Sequence, residues 1–217
     1  MQDAFPMLQE DVLIPTISEN TFLTIEEILQ QTSGYKKYSH LFLEAVREGK
    51  VKSLRTKLDT FGVLCHGLLV QDNILFKYKK QLDSRLSCQD AIFRDLSHCH
   101  YGSCVMDLLQ VIFASISIDV RQSFLADIVC SVYYDNFAKT VSSINKDISL
   151  FTKKQFIKEF DTNIMYGFLF SLQILSSTYL DDDTDIQQES DSRFRQHFLA
   201  LVRDIVQFKV NAKATMS

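Results

Sequence analysis

The stretch Phe61-Gly62-Val63-Leu64-Cys65-His66-Gly67-Leu68-Leu69-Val70-Gln71-Asp72-Asn73-Ile74-Leu75-Phe76-Lys77-Tyr78 decides the fold. Its two ends, 61–65 and 73–78, are short, apolar and rich in β-formers, each the length of a strand. Between them lies the chemically dense segment from His66 to Asn73. A third run of the same texture, 91–93, leads directly into Asp95-Leu96-Ser97. These runs predict a small sheet of hairpin type, interrupted by the polar stretch 79–90.

On both sides of this sheet the period is helical. Upstream, Thr24 followed three residues later by Glu27 is a capping-box pattern, in which hydroxyl and carboxylate satisfy free amides at a helix start. It predicts a helix to about Gln31, stopped at Ser33-Gly34. A second helix is expected over 35–58, with Leu41, Ala45 and Val46 at helical spacing and a weak point at Gly49. Residues 1–22 hold both prolines and no clear period, and read as an extended lead. Downstream, Val105, Leu108, Leu109, Ile112 and Phe113 mark one face of a helix. Asp119 is placed to cap the next, in which Phe124, Ile128, Val132 and Phe137 recur about every four residues. Further helices are expected over 153–160, 164–180 and 192–208. The acidic run Asp181-Asp182-Asp183-Thr184-Asp185 lacks the Gly and closing Glu of a calcium loop and reads as a solvated connection. The fold class is therefore α+β, mainly α, with a small β-hairpin sheet and a helical bundle.

Composition supports this layout and removes several functions. Six glycines and two prolines in 217 residues are well below the roughly 7% and 5% of average proteins, which favours long helices. No G-x-G-x-x-G phosphate loop can be written with so few glycines. Gly62 and Gly67 have the spacing of a P-loop, but Leu68-Leu69 stands where Lys-Ser/Thr is needed. With 27 acidic against 23 basic side chains, a general nucleic-acid binder is disfavoured. The first fifteen residues have neither a basic nor an apolar region, so no secretory signal is expected. Five cysteines, Cys65, Cys88, Cys99, Cys104 and Cys130, are an odd number at irregular spacing, which suits reduced thiols and a cytoplasmic location. The 164–180 segment is almost uncharged, yet it carries Ser171, Gln173, Ser176, Ser177 and Thr178, and reads as a buried core helix rather than a membrane span. His98, Cys99, His100 and Cys104 crowd one loop, whereas structural zinc needs ligand pairs separated by chain that folds around the metal. Cys65 and His66 are adjacent strand residues pointing to opposite faces, which argues against a thiol nucleophile with its base.

An Asn closing a loop and an Asp following the next hairpin offer hard oxygens of the kind magnesium prefers, with nucleotide phosphates completing the octahedron. Here the chain resembles the ecdysteroid kinase-like (CHK kinase-like) proteins of insects, relatives of choline kinases and aminoglycoside phosphotransferases. The resemblance is carried by Phe61-Gly-Val-Leu-Cys-His-Gly, Asn73-Ile-Leu-Phe-Lys-Tyr, Asp90 to Asp95, Tyr101-Gly-Ser and Asp107-Leu-Leu. It continues through Ser117-Ile-Asp-Val-Arg, Tyr133-Tyr-Asp-Asn and Tyr166-Gly-Phe-Leu-Phe, and runs from about Phe22 to Phe208. It implies a protein-kinase-like C-lobe. Asn73 matches the family's metal-binding Asn, and Asp95 matches the first residue of its DFQ-like segment. His66, Gly67 and Asp107 are expected to brace the loop, and plainer roles for Asn73 and Asp95, as a loop cap and a turn Asp, stay open.

The same resemblance exposes departures. The family's Asp after His-Gly is the catalytic base that deprotonates the substrate hydroxyl; this chain has Leu68 there, which accepts no proton. Leu96 and Ser97 replace the family's Phe and Gln, Val70 its Trp, and Asp72 the Asn before the metal ligand. Asp72 lies four positions beyond Leu68, roughly 10 Å or more of extended chain, and is a poor substitute. The N-lobe lysine, its glutamate partner and the adenine hinge precede the matching region, so a C-lobe with the N-lobe absent is expected. The expected organisation is 1–22 lead, 23–210 kinase-like C-lobe and 211–217 tail. The implied function is a truncated, catalytically inactive relative of small-molecule O-kinases, with no catalytic residue. The alternative is a fragment of an active ATP-dependent kinase for a steroid-like hydroxyl. Magnesium and ATP are expected as cofactors only if activity survives. Expected partners are a hydrophobic small molecule or a partner chain, without nucleic acid or membrane. Self-association is expected too, because a lone C-lobe exposes its cleft surface.

Overall fold

A computed structural model describes residues 17–48, 62–80, 86–144, 151–180 and 187–216. Most of the 1–22 lead, the expected helix beyond residue 48, Phe61, the middle of the 79–90 stretch and the acidic run at 181–185 lie outside the described residues. What is described is mostly helical with two small antiparallel sheets, the expected α+β class.

Helix α1 spans Glu19–Gln31 and α2 spans Ser39–Glu48. The start of α1 corrects the capping-box reading. Ser18, extended, is the N-cap, and its hydroxyl accepts from Thr21 N at 3.1 Å. Thr24 lies inside the helix and donates to Asn20 O at 2.9 Å, while Glu27 accepts from Gln31 Nε2 at 2.7 Å. The competing signal is the buried stripe Thr21, Ile25, Ile28 and Leu29, which needs a turn of helix ahead of Thr24. In α2 the buried pair is Phe42 and Leu43, with Leu41 exposed; the Phe42 ring packs 4.8 Å from that of Phe168.

The strands do not form one sheet. β1 (Gly62–Cys65) pairs antiparallel with β4 (His100–Ser103), Cys65 opposite His100. β2 (Ile74–Lys80) pairs with β3 (Leu86–Phe93), Ile74 opposite Phe93. β3 is longer than the apolar run at 91–93, because cross-strand pairing extends it back through polar residues to Leu86. The expected strand at 73–78 begins at Ile74, since Asn73 closes a short 3-10 turn, Gln71–Asn73.

α3 (Val105–Gln110) follows β4 and widens into a π-helical turn at Val111–Ser115. α4 (Ile118–Asp127) passes through a second π segment, Ile128–Tyr134, into α5 (Asp135–Ser143). Ser117, not Asp119, occupies the N-cap of α4, and Asp119 sits in its first turn. The buried face also differs from the expected one. Phe124 and Val132 are exposed while Leu125, Val129 and Tyr134 are buried. Within α4 the core side runs through Arg121 and Leu125, which leaves Phe124 outside; beyond it the π segment adds a residue to the turn, so a strict four-residue spacing drifts further off the core side.

α6 runs unbroken over Lys153–Tyr179, merging two expected helices, and opens with a true capping box of Thr152 and Gln155. The polar triplet between the two does not break it, since Thr162 and Asn163 turn their side chains back to the carbonyls of Lys158 and Glu159. Phe156, Phe160, Ile164, Phe168 and Leu172 recur every four residues, each fully buried. Side chains of this size stabilise by about 1.5–3 kcal/mol apiece when buried, so this stripe organises the core. α7 (Gln187–Met216) lies against α6 and contributes Phe194, Phe198, Leu201 and Ile205. Gly167 allows α6 to approach α3: a Cβ there would sit 2.7 Å from Phe113 Cδ2 and 3.1 Å from Leu109 Cβ. Arg121 of α4 and Asp204 of α7, both buried, join at 2.8 Å from Nε to Oδ2. Among the described residues no helix is long and apolar enough to cross a membrane.

Candidate functional site

The segment from His66 to Asn73 leaves the end of β1, crosses the start of α3 and enters β2. Most of this loop is half-buried, and its backbone amides find partners within the protein. Asp107, in the first turn of α3, supplies them at the start: its two carboxylate oxygens accept from His66 N at 2.6 Å and Gly67 N at 2.9 Å. Gln110, one turn further along the helix, accepts from Leu69 N at 2.6 Å through Oε1 and donates from Nε2 to Gly67 O at 2.9 Å. The same Nε2 donates to the Tyr166 hydroxyl at 2.6 Å, tying the loop to α6. Ser115 accepts from Gln71 N at 2.8 Å. With Val70 N donating to Leu68 O and Asn73 N to Val70 O, the amides of 66–71 and of 73 all have partners.

His66 is buried and uses both ring nitrogens. Nδ1 accepts from Leu68 N at 3.3 Å, which leaves the hydrogen on Nε2, donated to Arg94 O at 2.8 Å. It joins the loop to the end of β3. Gly67 is required: its φ of +84° is left-handed, and a Cβ would collide with the His98 carbonyl oxygen.

Asn73 and Asp95 come from the two ends of the β2–β3 hairpin. Asn73 is buried, donates from Nδ2 to Leu68 O at 2.9 Å, and accepts at its carbonyl from Arg94 N at 3.0 Å. That last bond brings the residue next to Asp95 against Asn73. Asp95 is left-handed at φ 59°, the one non-glycine residue with positive φ among the described residues. Its carboxylate is exposed and accepts from the Ser97 hydroxyl at 2.6 Å. That bond holds its carboxyl below the usual range, so it carries a full negative charge at neutral pH. Leu68, between His66 and Asn73, packs its side chain against the core. Asp72 is exposed in the 3-10 turn.

A model of the ecdysteroid kinase-like family matches residues 7–146, well over half of the chain. The chain belongs to the ecdysteroid kinase-like family. Comparison with curated proteins and with solved structures finds no match. The family match takes in the whole loop, both sheets and α3 to α5; it begins before Phe22 and stops ahead of α6 and α7, short of the expected Phe208.

Neighbouring groups are structural in their surroundings. The Cys65 thiol is buried, donates to Ser103 O at 3.3 Å, and is pushed up by burial and then by the Asp107 charge, so it stays protonated. Burial pushes the Cys104 thiol up to about 12, helped by Glu159, whose carboxylate accepts from the Ser103 hydroxyl. His100 Nδ1 lies 3.0 Å from His98 O. Among the described residues no group of three or more His, Cys, Asp or Glu could hold a metal ion. Gln110 and Ser115 are the site residues that sequence reading missed. A Gln one turn after Asp107, inside an otherwise apolar helix face, was the available signal.

Proposed function

We propose that this member of the ecdysteroid kinase-like family keeps the family's loop scaffold without its phosphoryl transfer. The observation that carries the reading is Leu68. The loop around it is tied to α3 through Asp107 and Gln110, yet the position that follows His66-Gly67 offers an alkyl group packed on the core. A hydroxyl nucleophile arriving there finds no group to orient it or take its proton. Asp72 does not compensate, being exposed in the next turn of the loop.

Two oxygen donors nevertheless suit magnesium: the Asn73 side-chain amide, whose nitrogen is committed to Leu68 O, and the ionised Asp95 carboxylate. These residues would hold the ion. Bound there, it would neutralise charge on nucleotide phosphates. That pair favours a second reading, in which ATP is bound and the chain belongs to an active kinase for a steroid-like hydroxyl. The β2–β3 hairpin also leaves Leu75, Phe76, Tyr78, Ile92 and Phe93 about half exposed, which supports association with a second copy or a partner chain.

The test is transfer of the γ-phosphate from magnesium-ATP to a polyhydroxylated steroid by the purified chain, alongside magnesium-ATP calorimetry. No turnover is expected. Turnover that disappears in both Asn73→Ala and Asp95→Ala would establish the second reading instead.

A further inference from the structure

A cavity of about 140 Å³ lies away from the loop, between the π turn after α3, the start of α4, and the facing sides of α6 and α7. Its walls are mainly apolar, including Phe113, Ile116, Ile174 and Leu201. An apolar protein cavity of roughly 150 Å³ accepts a molecule the size of benzene, so this space suits a single ring or a branched alkyl group.

Five polar side chains also line it: Ser115, whose hydroxyl accepts from Gln71 N, the exposed Ser117, and Arg121, His197 and Ser171, and the last three are not equivalent. Arg121 is committed: Nε donates to Asp204 and Nη1 to Ile116 O at 2.6 Å, so its charge is matched by a buried carboxylate. His197 is half-buried, and burial, followed by the Arg121 and Arg193 charges, lowers its affinity for a proton, so it presents a neutral ring. Ser171 is fully buried on α6, and its hydroxyl is without a hydrogen-bond partner among the described residues. A serine inside a helix ordinarily turns its hydroxyl back to the carbonyl four residues earlier, as Ser176 does to Leu172 O at 2.7 Å. Leaving a buried hydroxyl unpaired costs about 1–3 kcal/mol, a cost that a ligand with a matching polar group would remove.

We propose that this cavity binds a small neutral molecule with a ring-sized apolar body and one hydroxyl or carbonyl, which pairs with the Ser171 hydroxyl while the apolar walls enclose the rest. A charged ligand is disfavoured, because the one full charge in the wall already has its counter-ion. The site needs neither ATP nor Leu68, so it stands or falls separately from the proposed loss of phosphoryl transfer. It does share a wall residue with the loop: Ser115 lines the cavity and holds Gln71 N.

The probes are cyclohexanol, cyclohexane and cyclohexanecarboxylate, titrated into the full chain and followed by amide chemical shifts. Cyclohexanol is expected to saturate with shifts centred on 113–118 and on Ser171, and to bind more tightly than the carboxylate. Ser171→Ala should weaken cyclohexanol about tenfold, the value of one good hydrogen bond, and leave cyclohexane within twofold. Leu201→Phe, which fills the space, should abolish binding of both. Circular dichroism and thermal melts identify any variant that has lost its fold. Ser171→Ala keeps the proposal testable if Leu201→Phe proves unstable. The proposal is overturned if cyclohexanol fails to saturate at millimolar concentration, if the carboxylate binds better, or if Ser171→Ala leaves cyclohexanol affinity unchanged.

Discussion

Replacing Asp107 by alanine removes the acceptor of two loop amides at once. Each is a hydrogen bond to a charged oxygen, at 2.6 Å from His66 N and 2.9 Å from Gly67 N. Such bonds contribute about 1.5–3 kcal/mol each. Asp107 is only half-buried, so water reaches the edge of the group and the lower figure applies, giving about 3 kcal/mol for the pair. With a urea dependence of about 2 kcal/mol per molar, the unfolding midpoint should fall by about 1.5 M. Asp119→Ala is the internal control. It is the same side chain in the first turn of another helix, exposed, and should lose less than about 1 kcal/mol through the helix dipole alone. Hydrogen exchange gives the local readout: the His66 and Gly67 amides should exchange faster in Asp107→Ala, and those of α7 no faster than the global loss allows. A midpoint shift no larger than that of Asp119→Ala, or unchanged protection at His66 and Gly67, refutes the bracing role.

Arg121→Ala leaves Asp204 charged and buried against only Arg203, and should cost about 3–5 kcal/mol by denaturant titration, with Arg121→Met plus Asp204→Leu recovering much of it. Gly167→Ala should destabilise by about 1–3 kcal/mol in thermal melts, because its Cβ meets Phe113 and Leu109 across the α3–α6 contact. His197 has its folded-state proton affinity lowered by burial, so the unfolded chain binds more protons just below its ordinary value of about 6.5. Stability from this group is therefore complete above about pH 6.5 and lost as pH falls toward the folded value. His197→Gln should flatten that part of the pH–stability curve, and an unaltered curve would count against it.

Much of the fold was legible because its signals are local. Strand texture at 62–65 and 74–78, the apolar face Val105, Leu108, Leu109, Ile112 and Phe113, and the helices near the C-terminal end are written in periods of two and four that neighbouring residues settle between themselves. Errors fell where a distant element decided. The start of α1 was set by a stripe packing on the core rather than by the Thr24 and Glu27 pattern. The core side of α4 was set by Arg121 and Leu125 packing inward, and the π segment after it shifts the face further along in a way no period announces. The helices expected at 153–160 and 164–180 are one, because Thr162 and Asn163 between them bond back to their own helix. The loop residues were legible by type, but the acceptors that hold them lie about forty residues away, and nothing local in the sequence pairs Leu69 with Gln110 or Gln71 with Ser115.

By itself the sequence determined the class, the family, and the presence of Leu68 directly after His66-Gly67, because these depend on residue identity at positions along one strand–loop–strand stretch. Only the tertiary structure decided that β1 pairs with β4 and not with β2, that Asp107 and Gln110 carry the loop, and that Ser171 has no partner among the described residues beside a ring-sized cavity. Cross-strand pairing, buried hydrogen bonds and voids are properties of surfaces brought together by packing. They depend on which helix faces which, and a one-dimensional pattern does not carry that information.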